Sequence, residues 1–179
     1  MNLLFRWFLA FNASSPLLVV YLIKAGVTIT IVPPCILHVP DFFSYAVYIL
    51  AAIISTAISI VLSVHLDKTD MEIGAIESVE YANDAFLPSY LGYFFVALDV
   101  PNTETLCYVY PIILGFTFLS QTLYFNPLFL IFGYHFYNLT TVNNVRIFMI
   151  TKKKINKPKT ISFPSLTRIS DFTFIDQEP

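Results

Sequence analysis

Side chains that could do chemistry are few here, and the first is Lys24, the one cation inside an otherwise apolar stretch of about span length, near 15–32. An ammonium group within such a stretch must find water, a partner or the membrane interface. Lys24 therefore either lines a water-filled path through an oligomer or snorkels to the headgroups. Cys35 and Cys107 end two apolar runs, and a disulfide or two free thiols both fit that placement. His38, His65 and His135 fall near the ends of apolar runs on different sides, which suits interfacial or packing roles better than a shared metal. There is no HExxH, no GxSxG and no glycine-rich phosphate loop, with only five glycines in all. No enzyme motif stands behind this chain, and we expect no catalytic residue, metal or cofactor.

The remaining charges gather in two places. The segment 67–84 holds Asp67, Asp70, Glu72, Glu77, Glu80 and Asp84 against Lys68 alone, and the last forty residues hold Lys152, Lys153, Lys154, Lys157, Lys159 and Arg168. Opposite charges of this kind can pair within the chain, dock a soluble protein, or, for the lysines, attract anionic lipid. The residues chosen here for a partner surface are Glu72, Glu77, Glu80 and Asp84 with Lys152, Lys153, Lys154 and Arg168.

Positioning these groups falls to elements suited to lipid. The 179 residues are 56% hydrophobic and only 12% charged, with mean hydropathy +0.69, against roughly 25% charged residues in a soluble domain. A hydrocarbon core of about 30 Å needs about 20 apolar helical residues. The pattern predicts an all-α membrane protein with four transmembrane helices, at about 15–32, 42–66, 82–100 and 106–135. The break Asn12-Ala-Ser-Ser-Pro16 sets off residues 1–13 as a short interfacial helix carrying Arg6 and Trp7. The stretch 67–84 becomes an acidic connector, and the last span bends near Asn126-Pro127. Residues 141–179 form a small basic tail in which 145–150 alternates as a strand. Phe163, Leu166, Ile169, Phe172, Phe174 and Ile175 make the rest of that tail a docking segment.

Four spans place Arg6, Lys68, Arg146, the lysine run and Arg168 on one face and leave the opposite loops without Lys or Arg. Both termini are then cytoplasmic by the positive-inside rule. Small residues at Ala51, Ala52, Ser55, Ala57, Ser59 and Ser63 would let another helix approach the second span closely.

The stretch Glu80-Tyr-Ala-Asn-Asp-Ala-Phe-Leu-Pro-Ser-Tyr-Leu-Gly-Tyr-Phe-Phe-Val-Ala-Leu98, with Phe132-Gly-Tyr-His-Phe-Tyr137 later on, resembles the KwaA family, the membrane subunits of the bacterial Kiwa anti-phage defence system. The resemblance implies an inner-membrane homo-oligomer, a tetramer, that responds to phage attack and binds a cytoplasmic DNA-binding effector of the KwaB kind. Direct nucleic-acid binding by this chain is not expected. The alternative is a small ion channel or transporter subunit with Lys24 on the pathway.

Overall fold

A helix that meets Pro16 should break, because proline removes the N–H that would bond the carbonyl four residues back. In the computed structural model, which describes residues 3–29, 40–66, 68–71, 76–84, 87–120, 126–155 and 163–176, it does not. Helix α1 runs unbroken over Leu3–Lys24. The carbonyl that Pro16 leaves unbonded is that of Asn12, and it accepts from Ser15 Oγ at 2.8 Å and Asn126 Nδ2 at 3.4 Å. Borrowed donors thus replace the missing one, and the expected interfacial helix followed by a separate span is one continuous element. It stops at Gly26, whose φ of 64° suits a helix C-terminus.

Helix α2, Asp41–Ser63, falls close to the expected second span. Helices α3, Leu87–Asp99, and α4, Thr103–Leu119, form a hairpin. Asn102 accepts the Thr105 N–H at 2.8 Å and so caps the start of α4. At 1.5 Å per residue α3 is about 20 Å long and α4 about 26 Å, both short of a span. Among the described residues, only α1 and α2 are long and apolar enough to cross a membrane.

The expected all-α, four-span fold is overturned beyond Leu119. Ser120 is extended, a single turn α5, Leu128–Ile131, follows, and the chain then becomes strand. Six strands, β1 (Lys68–Met71), β2 (Ile76–Tyr81), β3 (His135–Thr141), β4 (Arg146–Thr151), β5 (Phe163–Arg168) and β6 (Thr173–Asp176), make one sheet in the order β1-β5-β6-β4-β3-β2. All neighbours are antiparallel except β4 and β6. The acidic connector supplies β1 and β2, and the tail supplies β4, β5 and β6. The stretch just after the expected fourth span (106–135) supplies β3, which β2 and β4 flank on either side.

The two faces of the sheet have separate cores. Phe136, Phe148, Ile150 and Ile175 face the helices and meet Phe5 and Leu9 of α1, Phe129 of α5, and Ile60 and Leu66 at the end of α2. On the other face lie Tyr137, Leu139, Ile147, Met149, Phe163 and Leu166 with Ile155. The far half of α1 packs Leu17 and Tyr21 against Ala97, Val100 and Leu106 of the hairpin. Most of the expected docking anchors are therefore occupied by the chain itself: Phe163, Leu166, Ile169 and Ile175 are buried, whereas Phe172 stays exposed.

Candidate functional surfaces

Helix α2 buries Ser44, Ala52, Thr56, Ser59 and Ser63 and exposes Phe42, Leu50, Ile54, Ile58 and Val61. A helix in water does the opposite. Small and hydroxylated residues inside, with aliphatic and aromatic ones outside, are what helix contacts in lipid require, because close backbone approach and hydrogen bonds hold such helices together. Around the middle of α1 these bonds form a network. Asn12 Nδ2 donates to the Ser55 carbonyl at 3.1 Å and to Ser59 Oγ. Asn126 Nδ2 donates to Thr56 Oγ1 at 2.9 Å, Tyr90 OH donates to the Ala13 carbonyl at 2.9 Å, and Ser14 and Tyr110 share a hydroxyl contact of 3.1 Å. Among the described residues, Asn12 Oδ1 is buried without a partner.

Lys24 stands at the last position of α1 and is exposed. Its Nζ donates to the carbonyls of Leu98 at 2.5 Å and Val100 at 2.7 Å. A cation there satisfies carbonyls at the C-terminus of α3 and opposes the negative end of its dipole. The apolar run from 15 to 32 placed Lys24 mid-span only because the helix was expected to continue to Val32. This position gives Lys24 partners at the end of α3. Cys107 is exposed on α4, and Cys35, its proposed disulfide partner, lies outside the described residues.

At the other end of α1, Trp7 stacks on Phe118 with centroids 4.0 Å apart, and the Arg6 guanidinium lies 5.2 Å from the same ring. These residues tie the helix start to the end of α4. His135 does not approach a metal-like cluster; its Nδ1 lies 3.0 Å from Asn83 Nδ2, and Asn83 Oδ1 accepts the Phe136 N–H. The turn after β2 is thus fastened to the start of β3.

Of the charged residues chosen from sequence, Glu77, Glu80 and Arg168 lie in strands, and the set does not form one patch. Glu72 lies outside the described residues. Glu77 and Glu80 are exposed on β2, an edge strand, and Asp84 is exposed in the turn that follows. Lys152 lies over the Tyr134 ring at 4.9 Å. Lys153 reaches the fully buried Asp176 at 3.7 Å, and that carboxylate also accepts from Thr151 at 2.8 Å. Lys154 shares a small groove with Val79, Tyr81, His135 and Tyr137. Arg168 pairs with Asp171 at 2.9 Å. Tyr134 is buried, and that burial, with the negative Asp176 second, pushes its phenol above the ordinary range.

Register brings together a set that the sequence did not announce. Glu80 is level with Asn138, Phe148 and Thr173, and the next row holds Ser78, Thr140 and Arg146. Alternation puts both rows on the sheet face that meets the helices, and together with Phe172 they line a groove of about 370 Å³. It carries one exposed carboxylate and one exposed guanidinium among hydrogen-bonding side chains. Arg146 was missed as a site residue. The alternation over 145–150 revealed its strand, but nothing local revealed that β2 lay two strands away.

Helices with apolar sides outward, joined to a mixed sheet with a polar groove, define a two-layer class of protein. The chain belongs to the KwaA family: the family model described as anti-phage protein KwaA matches residues 5–175. This makes it an anti-phage defence protein. No curated protein and no solved structure matches it.

Proposed function

We propose that this chain is the membrane-embedded sensor and scaffold subunit of an anti-phage defence complex, with no chemistry of its own. Its helix layer lies in the inner membrane, and its sheet holds a soluble effector on the cytoplasmic side. The inverted burial of α2 carries this reading, because a helix that exposes its aliphatic residues and hides its serines is stable in lipid and unstable in water. Further support comes from the sheet. Connector and tail are strands of one sheet and the start of α1 packs on it, so Arg6, Lys68, Arg146 and Arg168 share one side of the helices with the Lys152–Lys154 run. That suits cytoplasmic termini.

The effector surface in this reading is the groove of Glu80, Asn138, Thr140 and Arg146. A shallow apolar groove of about 300 Å³ between α1 and α2, with Ser15, Ala51, Ala52 and Ser55 among its lining residues, suits close approach by a helix of another copy.

Affinity capture of the tagged protein from gently solubilised membranes, with mass analysis of the intact complex, tests the proposal. The expected result is a homo-oligomer carrying a soluble DNA-binding partner in fixed ratio. Glu80→Lys and Arg146→Glu should each release the partner and leave the membrane fraction unchanged. A clean oligomer without a partner, or a partner indifferent to both reversals, would refute the scaffold.

A further inference from the structure

We infer that the helix layer is a wedge matched to a locally thin bilayer, so that the membrane property this chain responds to is hydrocarbon thickness. The inference rests on the membrane reading above and adds the property being sensed.

The apolar surface has unequal heights on its two sides. Along α2, exposed apolar side chains run from Phe42 to Val64, about 33 Å at the helical rise and enough for an ordinary core. On the hairpin side the surface is bracketed by charge. Asp84 and Asp99 are exposed at the two ends of α3, and between them Leu87, Leu91, Phe94, Phe95 and Leu98 face outward. The helix itself rises about 18 Å from Leu87 to Asp99, and the Leu87 N–H bonded to the Asp84 carbonyl at 3.0 Å keeps Asp84 within one turn, about 7 Å, of its start. Helix α4 has a similar height, from the exposed Glu104 to Leu119. An ionised carboxylate is costly in hydrocarbon, and tilting a short helix shortens it further. The bilayer beside α3 and α4 must therefore be thinner by about 5 Å or more than an unperturbed core of about 30 Å.

The hairpin cannot slide to relieve this mismatch. At one end Lys24 holds the carbonyls of Leu98 and Val100, and Tyr21 meets Thr103 at 3.1 Å. Deeper down, Tyr90 is bonded to the Ala13 carbonyl and Tyr110 to Ser14. Polar contacts at several heights fix the short side against α1, and α1 in turn is bonded to the long α2. The wedge is then a rigid property of the layer, and a bilayer that thins under stretch or damage matches it better than an intact one. The outward face of the hairpin is assigned to lipid because its apolar residues end where the carboxylates begin, at both ends of α3.

The test uses the full-length protein reconstituted into vesicles of monounsaturated phosphatidylcholines with fourteen-, eighteen- or twenty-two-carbon chains. Flotation reports insertion, and thermal unfolding in each lipid reports fit. The expected result is flotation with all three lipids and an unfolding midpoint that falls by about 5 °C or more from the thinnest to the thickest. The double variant Asp84→Leu with Asp99→Leu lengthens the short side and should flatten that dependence. Full insertion with equal midpoints in the three lipids overturns the wedge, meaning that the hairpin face meets a second copy rather than lipid, and leaves the membrane reading standing. Failure to float with any lipid overturns both.

Discussion

The helix layer buries a polar network beside its apolar contacts, whereas the sheet buries mainly large apolar side chains. In the helices Asn12, Ser14, Thr56, Ser59 and Asn126 are inside, while large aliphatic and aromatic residues of α2, α3 and α4 point out. In the sheet Phe136, Leu139, Met149, Ile150 and Leu166 are inside, and Glu77, Glu80 and Arg146 point out. The outer surface of the helices thus suits lipid, and that of the sheet suits water. In water the apolar core drives folding, whereas in lipid the tails are as apolar as leucine, and hydrogen bonds and close packing must hold the helices. The junction falls where Phe5 and Leu9 leave the polar network of α1 for the apolar face of the sheet.

The strongest way to break this comparison is to empty the sheet core. Phe136→Ala removes a fully buried ring that stacks with Phe148, and it should cost about 3–5 kcal/mol of stability in denaturant unfolding. A loss below about 1 kcal/mol would mean that the sheet is not a unit folded in water.

Next in size is a charge placed on each surface. Ile54→Lys, on the outside of α2, should raise the insertion free energy by about 2.5–3.5 kcal/mol in a translocon insertion assay. Val142→Lys, equally exposed in the β3–β4 turn, should change stability by no more than about 0.5 kcal/mol. Equal effects at the two sites would erase the distinction between the solvents.

The polar interior of the helix layer sharpens the contrast. Asn126→Ala removes the donor to Thr56 and one of two donors to the Asn12 carbonyl. It should lower the stability of the protein in detergent by about 1 kcal/mol, measured against Asn143→Ala at the exposed β3–β4 turn.

The smallest effect is set at the junction by pH. Folding raises the Tyr134 pKa above its ordinary value of about 10, so the folded state favours the neutral phenol. Its contribution is whole below about pH 10 and declines as pH rises toward the folded value. An alkaline titration of unfolding should show this decline, and Tyr134→Phe should reduce it.

Parts of this architecture were legible in the sequence for simple reasons. Residues 42–66 carry no charge for the length of a bilayer, and α2 fills most of that stretch. The alternation of Val145-Arg-Ile-Phe-Met-Ile150 located β4. Elsewhere local reading failed where tertiary contacts supplied what the sequence lacked. Pro16 signals a break, yet Ser15 and Asn126 bond the carbonyl it frees. His135 to Thr141 becomes a strand by pairing with β2 and β4, which are distant or later in the chain. The groove of Glu80 and Arg146 depends on the pairing of β2, β3 and β4, which no nearby residue announces.

Composition and charge-free length, which a sequence states outright, determined that α2 has the length and apolarity of a membrane span, and the residues from Glu80 to Leu98 carried the family resemblance. Only the tertiary structure decided that connector and tail are one sheet, that Lys24 ends a helix and bonds the end of α3, and that α3 and α4 are shorter than α1 and α2. The physical reason is the same in each case. Periodicity reports which side of an element avoids water, whereas strand partners, borrowed hydrogen bonds and helix ends are fixed by groups distant in the chain that meet only when it folds.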